Sequence, residues 1–221
     1  MYYNIIWDLD GTIFDTYPSI DLSFYHAVKR FNKTISIDEI DSLTKVSISH
    51  CIRYLSTTLC LNENDLSKAF EENYDNVKPE YQPVFPGVLE TCKYIIGNGG
   101  KNIIVTHREK ASSIDLLTAH SISSLFIGII SNDDGFPKKP DPTSFKEALL
   151  RYKILSAETL SIGDRDIDIE AGRASGLFTC LYTLDKKQHS ADLQIKKMVE
   201  LLTFLKDEKD SRIVKKEKEG A

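Results

Sequence analysis

The apolar positions of this chain change rhythm twice. Tyr3-Asn4-Ile5-Ile6-Trp7 is a short run rich in Ile and aromatics that breaks off in Asp8-Leu9-Asp10-Gly11-Thr12. That is the pattern of a buried strand delivering its last residues to a site. From Thr16 to about Tyr81 the spacing turns helical and no strand is expected. Pro18 suits a first helical turn, and Ile20, Phe24, Ala27, Val28 and Phe31 keep one face. Ser36-Ile37-Asp38-Glu39 has the form of a capping box opening a second helix, and helical patterns follow over residues 47–59 and 65–77. After residue 83 strands and helices alternate. A helix over 86–96 closes at Gly97-Asn98-Gly99-Gly100. Strands are expected at 102–106, 126–130, 159–162 and, last, 178–182, with helices over 110–119, 142–152 and 167–174 between them. The mixed-charge run beyond about Lys206 reads as a frayed, solvated helix end with no part in chemistry.

Strands alternating with helices imply βαβ units and a sheet covered on both faces. The expected fold class is α/β: a doubly wound, Rossmann-like, mainly parallel sheet interrupted by an all-helical insertion. The expected division is residues 1–16 with 83–221 as the α/β core and 17–82 as the helical domain. Composition adds little: 221 residues, 41% hydrophobic and 28% charged, are ordinary for a globular protein. The formal charge of −5 gives no reason to expect nucleic acid or an anionic membrane as partner. With no signal-like N-terminus, no apolar stretch of bilayer length and four scattered cysteines (Cys51, Cys60, Cys92, Cys180), the expectation is a cytoplasmic protein with reduced thiols. Nothing in the sequence speaks to oligomeric state.

The chemistry lies at the ends of the strands. Asp8 and Asp10 flank Leu9, so alternation turns both carboxylates to one side. Like charges this close point to a hard metal ion between them, a nucleophilic carboxylate, or both. In an open parallel sheet ligands bind at the carboxyl ends of the strands. Those ends carry Asp8 and Asp10, then Thr106, then Lys139 in the third loop, then Asp164 with Asp168 at the start of the next helix. Taken singly, Thr106 is an ordinary strand-end hydroxyl, Lys139 an exposed lysine beside Lys138, and Asp164 a helix cap. Taken together they suit phosphoryl transfer, which depends on positioning and charge stabilisation. Asp8 and Asp164 can give carboxylates to Mg²⁺, with the main-chain carbonyl of Asp10 as a further oxygen. Lys139 and the Thr106 hydroxyl can face a phosphate.

The segments Asp8-Leu9-Asp10-Gly11-Thr12, Val105-Thr106, Lys139-Pro140 and Gly163-Asp164-Arg165-Asp166-Ile167-Asp168 resemble, in order and spacing, the four motifs of the haloacid dehalogenase-like hydrolases. The likeness is to the phosphoglycolate phosphatase-like and β-phosphoglucomutase-like members with a helical cap. It implies Asp8 as the nucleophile that forms an aspartyl-phosphate and Asp10 as general acid and base. It implies Thr106 and Lys139 as phosphate binders, and Asp164 and Asp168 as metal ligands, Asp168 directly or through water. An acid at position 10 argues for phosphate chemistry and against dehalogenation. His107 and Arg108 are candidate substrate contacts; equally, they can cap or solvate the next helix. The resemblance makes the helical block the cap, with His50, Arg53 and Tyr54 as candidates for its contact surface. The expected activity is Mg²⁺-dependent hydrolysis of a small phosphorylated metabolite. The alternatives are a phosphosugar mutase and, further off, a phospho-accepting signalling receiver.

Overall fold

The computed structural model describes residues 2–184 and 190–219, with side chains through Ser211. The chain divides into two compact units, residues 1–14 with 84–221, and residues 15–83.

The first unit is built on six strands: β1 (Asn4–Trp7), β2 (Asn102–Val105), β3 (Gly128–Ile130), β4 (Thr159–Gly163), β5 (Phe178–Tyr182) and β6 (Leu193–Ile195). Their order is β3-β2-β1-β4-β5-β6, and every pairing is parallel. The expected doubly wound α/β fold is therefore present. Alternation along β1 divides the core between the two faces. Ile5 and Trp7 pack with Val88, Cys92 and Ile95 of α5 (Val88–Gly97), Leu116 and Leu117 of α6 (Lys110–Ala119), and Met198, Leu201 and Leu205 of α9 (Met198–Glu219). Ile6 faces the other way, with Phe145 and Ala148 of α7 (Thr143–Arg151) and Ala171 of α8 (Asp166–Ala174). Trp7 can be fully enclosed because its Nε1–H donates to Asn102 Oδ1 at 3.0 Å, while the Asn102 amide donates to the carbonyls of Cys92 and Leu125.

The second unit is four helices: α1 (Tyr17–Arg30), α2 (Ile37–Thr44), α3 (Ile48–Leu59) and α4 (Glu63–Tyr74). Ser36, Ser47 and Asn62 cap the last three through side-chain oxygens, Ser36 accepting from Glu39 N–H as the capping box predicts. Their apolar stripes meet in one cluster centred on Phe24 and Phe70, whose rings stack at 4.0 Å. One acid lies among them: Asp21 is 3% exposed, and its Oδ1 accepts from Thr44 Oγ1 at 2.6 Å.

Two sequence expectations need correction. The strand expected over 126–130 is shorter, because a tight helical turn at Ser123–Leu125 precedes it and only Gly128–Ile130 pairs regularly at the sheet edge. Phe178–Tyr182 is not the last strand. β6 follows it, and its pattern of one buried residue in three, Ile195, is too sparse to read as a strand. The charged tail is, as expected, the end of a helix, α9, which is anchored through Met198, Leu201 and Leu205. Lys209, in that tail, donates to Asn98 Oδ1 at 2.6 Å; the side chains expected to be solvated beyond Ser211 lie outside the described residues. Among the described residues no helix is long and apolar enough to cross a membrane.

Candidate active site

The strand order reverses between β1 and β4, and the site forms at the carboxyl ends of those strands. Asp8 N–H donates to Ile162 O at 2.9 Å, which holds the end of β1 against β4. Leu9 is fully buried, and its carbonyl accepts from the N–H groups of Thr12, Ile13 and Phe14. This tight loop needs a left-handed residue, and Gly11 provides it at φ +76. Asp8 is thus sealed in, 2% exposed, while Asp10 is left half-buried.

Lys139 is no surface lysine. Its ammonium is enclosed and lies 2.6 Å from Asp8 Oδ1, 2.5 Å from Asp168 Oδ1 and 3.1 Å from Val105 O. Three acceptors match the three protons of an ammonium group. Its backbone N–H donates to His107 Nε2 at 2.8 Å, and the following peptide to Pro140 is cis. Burial opposes the Lys139 charge, but Asp168 and Asp8 outweigh it and hold its pKa above the usual value. The same enclosure works against the charge of Asp8. Burial raises its pKa to about 6, with Lys139 lowering it and Asp168 raising it.

Asp168 enters this space because position 163 is glycine. A Cβ on Gly163 would stand 2.3 Å from Asp168 Cβ. Asp168 is 1% exposed in the first turn of α8, with Oδ2 accepting the N–H of Arg165, the residue before the helix, at 3.2 Å. Position 164 is therefore not the helix cap. Asp164 stands instead with Asp8 and Asp168, one carboxylate oxygen of each within 4.8 Å of the others. Asp8 Oδ2 is buried with no hydrogen-bond partner among the described residues. An all-oxygen group with an unsatisfied buried carboxylate atom fits a hard divalent cation. The Asp10 carboxylate is not in this group; Arg108 holds it.

The segment after β2 completes the site. Thr106 is buried, and its Oγ1 accepts Arg108 N–H at 3.1 Å, leaving its own proton to donate. The half-buried His107 ring is spoken for at Nε2 by Lys139. Burial first, then the Lys139 and Arg165 charges, drive its pKa down to about 3, so it is neutral with its proton on Nδ1. The Arg108 guanidinium contacts Asp10 Oδ1 at 2.6 Å through Nη2.

The description of haloacid dehalogenase-like hydrolases matches residues 5–182. The chain belongs to this family. It is also similar to a phosphoglycolate phosphatase of Nitrosospira multiformis, 28% identical over 179 residues that cover 78% of this chain and 79% of the relative. A solved hydrolase from Streptococcus pneumoniae is 32% identical with a TM-score of 0.62, over 82% of this chain and 93% of that one. A solved structure described as a β-phosphoglucomutase from Thermotoga maritima shares the fold at a TM-score of 0.79 and 19% identity, over 94% and 99% of the two chains. As a haloacid dehalogenase-like hydrolase the chain is an enzyme, and every strand-end residue described above falls inside the matched span; β6 and α9 lie beyond it.

The structure brings Asp8, Lys139, Asp164 and Asp168 together, with Thr106 joined to them through the segment that carries Arg108. Two participants were invisible as such in the sequence: the Val105 carbonyl on Lys139, and the His107 ring as acceptor for the Lys139 backbone. A main-chain carbonyl carries no sequence signal, whereas a histidine directly after the strand-end threonine did mark the place.

Proposed function

We propose that this hydrolase of phosphoric monoesters cleaves small phosphorylated metabolites through an aspartyl-phosphate on Asp8, with Mg²⁺ as cofactor. The observation that carries the reading is the enclosed Asp8: one oxygen is paired with Lys139 and the other is buried without a hydrogen-bond partner among the described residues, beside Asp164 and Asp168. Asp8, Asp164 and Asp168, with the Asp10 carbonyl as a further oxygen, would hold Mg²⁺, which would supply positive charge against the phosphate. Lys139 offsets the charge of Asp8 and Asp168 and keeps the Asp8 carboxylate in place. The Thr106 hydroxyl donates to a phosphate oxygen. A carboxylate oxygen of Asp8 attacks phosphorus, the ester P–O bond breaks, and the leaving oxygen takes a proton from the Asp10 carboxyl. Water then attacks phosphorus of the aspartyl-phosphate and gives a proton to the Asp10 carboxylate, releasing inorganic phosphate and restoring Asp8.

The helical unit of residues 15–83 is inserted directly after the loop that carries Asp10, and we read it as the cap that selects the organic part of the substrate. The test is phosphate release from a panel of small esters, with Mg²⁺ and after chelation, by wild type and Asp8→Asn. The variant keeps the side-chain shape and should lose about 10³-fold or more in turnover. Near-wild-type release by Asp8→Asn removes Asp8 as nucleophile. A mutase shares the first half-reaction and differs in the acceptor. Sugar bisphosphate forming in place of free phosphate on a hexose phosphate would move the assignment to that activity.

A further inference from the structure

Lys139 is gripped at both ends by one short stretch of chain. Its ammonium donates to Val105 O at 3.1 Å, and its backbone N–H donates to His107 Nε2 at 2.8 Å. Thr106, whose hydroxyl is read above as a phosphate binder, stands between the two. The loop that carries Lys139 has little else to fix it. Its first part is laced to the exit of β2: Thr106 N–H donates to Ile130 O at 2.9 Å, Asn132 N–H to Arg108 O at 3.1 Å, and Lys110 N–H to Asp133 Oδ2 at 2.6 Å. Pro137 and Pro140 then have no N–H to give. Among the described residues, Lys139 N–H is the only backbone donor of residues 136–140 with a hydrogen-bond partner. The ammonium's other acceptors, Asp8 and Asp168, cannot anchor the loop by themselves, because they are the groups whose places Lys139 has to hold. An imidazole nitrogen accepts only when it carries no proton. Burial and the Lys139 and Arg165 charges keep this ring neutral, which leaves Nε2 its lone pair.

We propose that His107 is a positioning residue for Lys139: its Nε2 fixes the main chain from which the ammonium reaches Asp8, and so sets the spacing of the ammonium, the attacking carboxylate and the Thr106 hydroxyl. This rests on the phosphatase reading above. Without an acceptor at position 107, Lys139 N–H is left part-buried and unpaired, and the loop shifts to satisfy it. The ammonium shifts with its main chain, and Asp8 loses the contact that holds it in line. A misplacement of about 1 Å at a reacting group can cost about 100-fold in rate. The step affected is attack by Asp8 on phosphorus, which is common to every ester. The loss is therefore the same whatever the organic part. A histidine that touched the substrate would behave differently: its loss would appear in KM and would change from ester to ester.

The experiment measures kcat and KM on the full chain with Mg²⁺ for ethyl phosphate, aminoethyl phosphate and p-nitrophenyl phosphate. In His107→Leu, kcat for ethyl phosphate should fall about 10–100-fold with KM within about threefold, and kcat/KM should fall by a similar factor on all three esters. His107→Gln, whose amide oxygen can accept the same N–H, should recover to within about threefold of wild type. Nitrogen-15 NMR of the wild type should show scalar coupling across the N–H···N bond between the Lys139 amide and His107 Nε2, with the ring proton on Nδ1, and His107→Leu should abolish it. Trp7 fluorescence reports whether each variant folds. Should His107→Leu fail to fold, His107→Met takes its place, since a thioether is only a weak acceptor. No coupling in wild type, wild-type kcat in the folded Leu or Met variant, or a Gln variant as slow as the Leu variant overturns the proposal. A loss confined to KM, or one that differs by more than about tenfold between esters, makes His107 a substrate contact and overturns it too. Release from none of the esters by wild type removes the phosphatase reading itself; release that the folded variants leave untouched removes the His107 proposal alone.

Discussion

Replacing Lys139 by methionine keeps most of the side chain and deletes its charge. The ammonium faces Asp8 and Asp168 at 2.6 and 2.5 Å, fully enclosed. Without it, Asp8, Asp164 and Asp168 remain with carboxylate oxygens no more than 4.8 Å apart. At that spacing two unit charges repel by about 3.5 kcal/mol at an effective dielectric constant of about 20. Breaking a buried pair by removing one partner costs about 3–5 kcal/mol. Lys139→Met should therefore lose about 3–5 kcal/mol of stability at pH 8 without divalent ions.

The loss depends on pH, and its sign follows from Asp8. Burial first, offset in part by Lys139, raises the Asp8 pKa to about 6 from an ordinary 3.8. An acid raised in the folded state is a cost that is present in full above pH 6 and disappears as pH falls through 6 towards 3.8. Lys139 relieves that cost, so its removal matters more at pH 8 than at pH 5, where Asp8 is largely protonated. Urea unfolding gives the readout. Trp7 is the only tryptophan, is fully buried one residue before Asp8, and reports the α/β unit. Added Mg²⁺ should recover part of the loss. A loss below about 1 kcal/mol at pH 8, or an equal loss at pH 8 and pH 5, would refute the reasoning.

Three other outcomes are expected. Asp10→Asn should slow alkyl phosphates by about 10²–10⁴-fold and aryl phosphates far less, because only a poor leaving group needs the proton; equal losses in a leaving-group series would give Asp10 another role. Chelation should abolish turnover, and Asp164→Ala should raise the Mg²⁺ concentration for half-maximal activity more than Asp168→Ala; full activity in a chelator would contradict the cation reading. Asp21→Asn should stabilise the helical unit at pH 8 by about 1–3 kcal/mol and hardly at all at pH 4. Burial, only partly offset by the Thr44 hydrogen bond, lifts the Asp21 pKa to about 6, and the penalty vanishes as pH falls through that value towards 3.8. Circular dichroism melts of wild type and variant at the two pH values check it, and an unchanged or lower midpoint at pH 8 would count against it.

What the sequence made legible is what alternation and chain order carry. Strand ends are visible because a buried strand must stop being apolar where it meets a site, and Asp8, Thr106 and Asp164 all stand at such stops. Their convergence follows from the parallel sheet, which turns every carboxyl end the same way. β6 stayed hidden because an edge strand needs few buried residues, and Ile195 alone leaves no period. Only the end of α9 was legible, for a related reason: its anchor, Met198, Leu201 and Leu205, is brief, and the charge that follows dominates the composition. The contacts after β2 were the least legible, because they turn on side-chain direction. His107 and Arg108 are adjacent, polar and half-buried, yet one accepts from the Lys139 backbone and the other grips Asp10. Adjacent residues leaving a strand diverge, so each meets a different loop, and no spacing rule says which. The motif acids could be read from sequence because their chemistry is stereotyped, whereas the two residues that hold Lys139 and Asp10 in place could only be read from geometry. Variation within this site is therefore expected to concentrate at positions 107 and 108, where the requirement is an acceptor for one backbone N–H and a cation for one carboxylate, and where other residue types can meet either need.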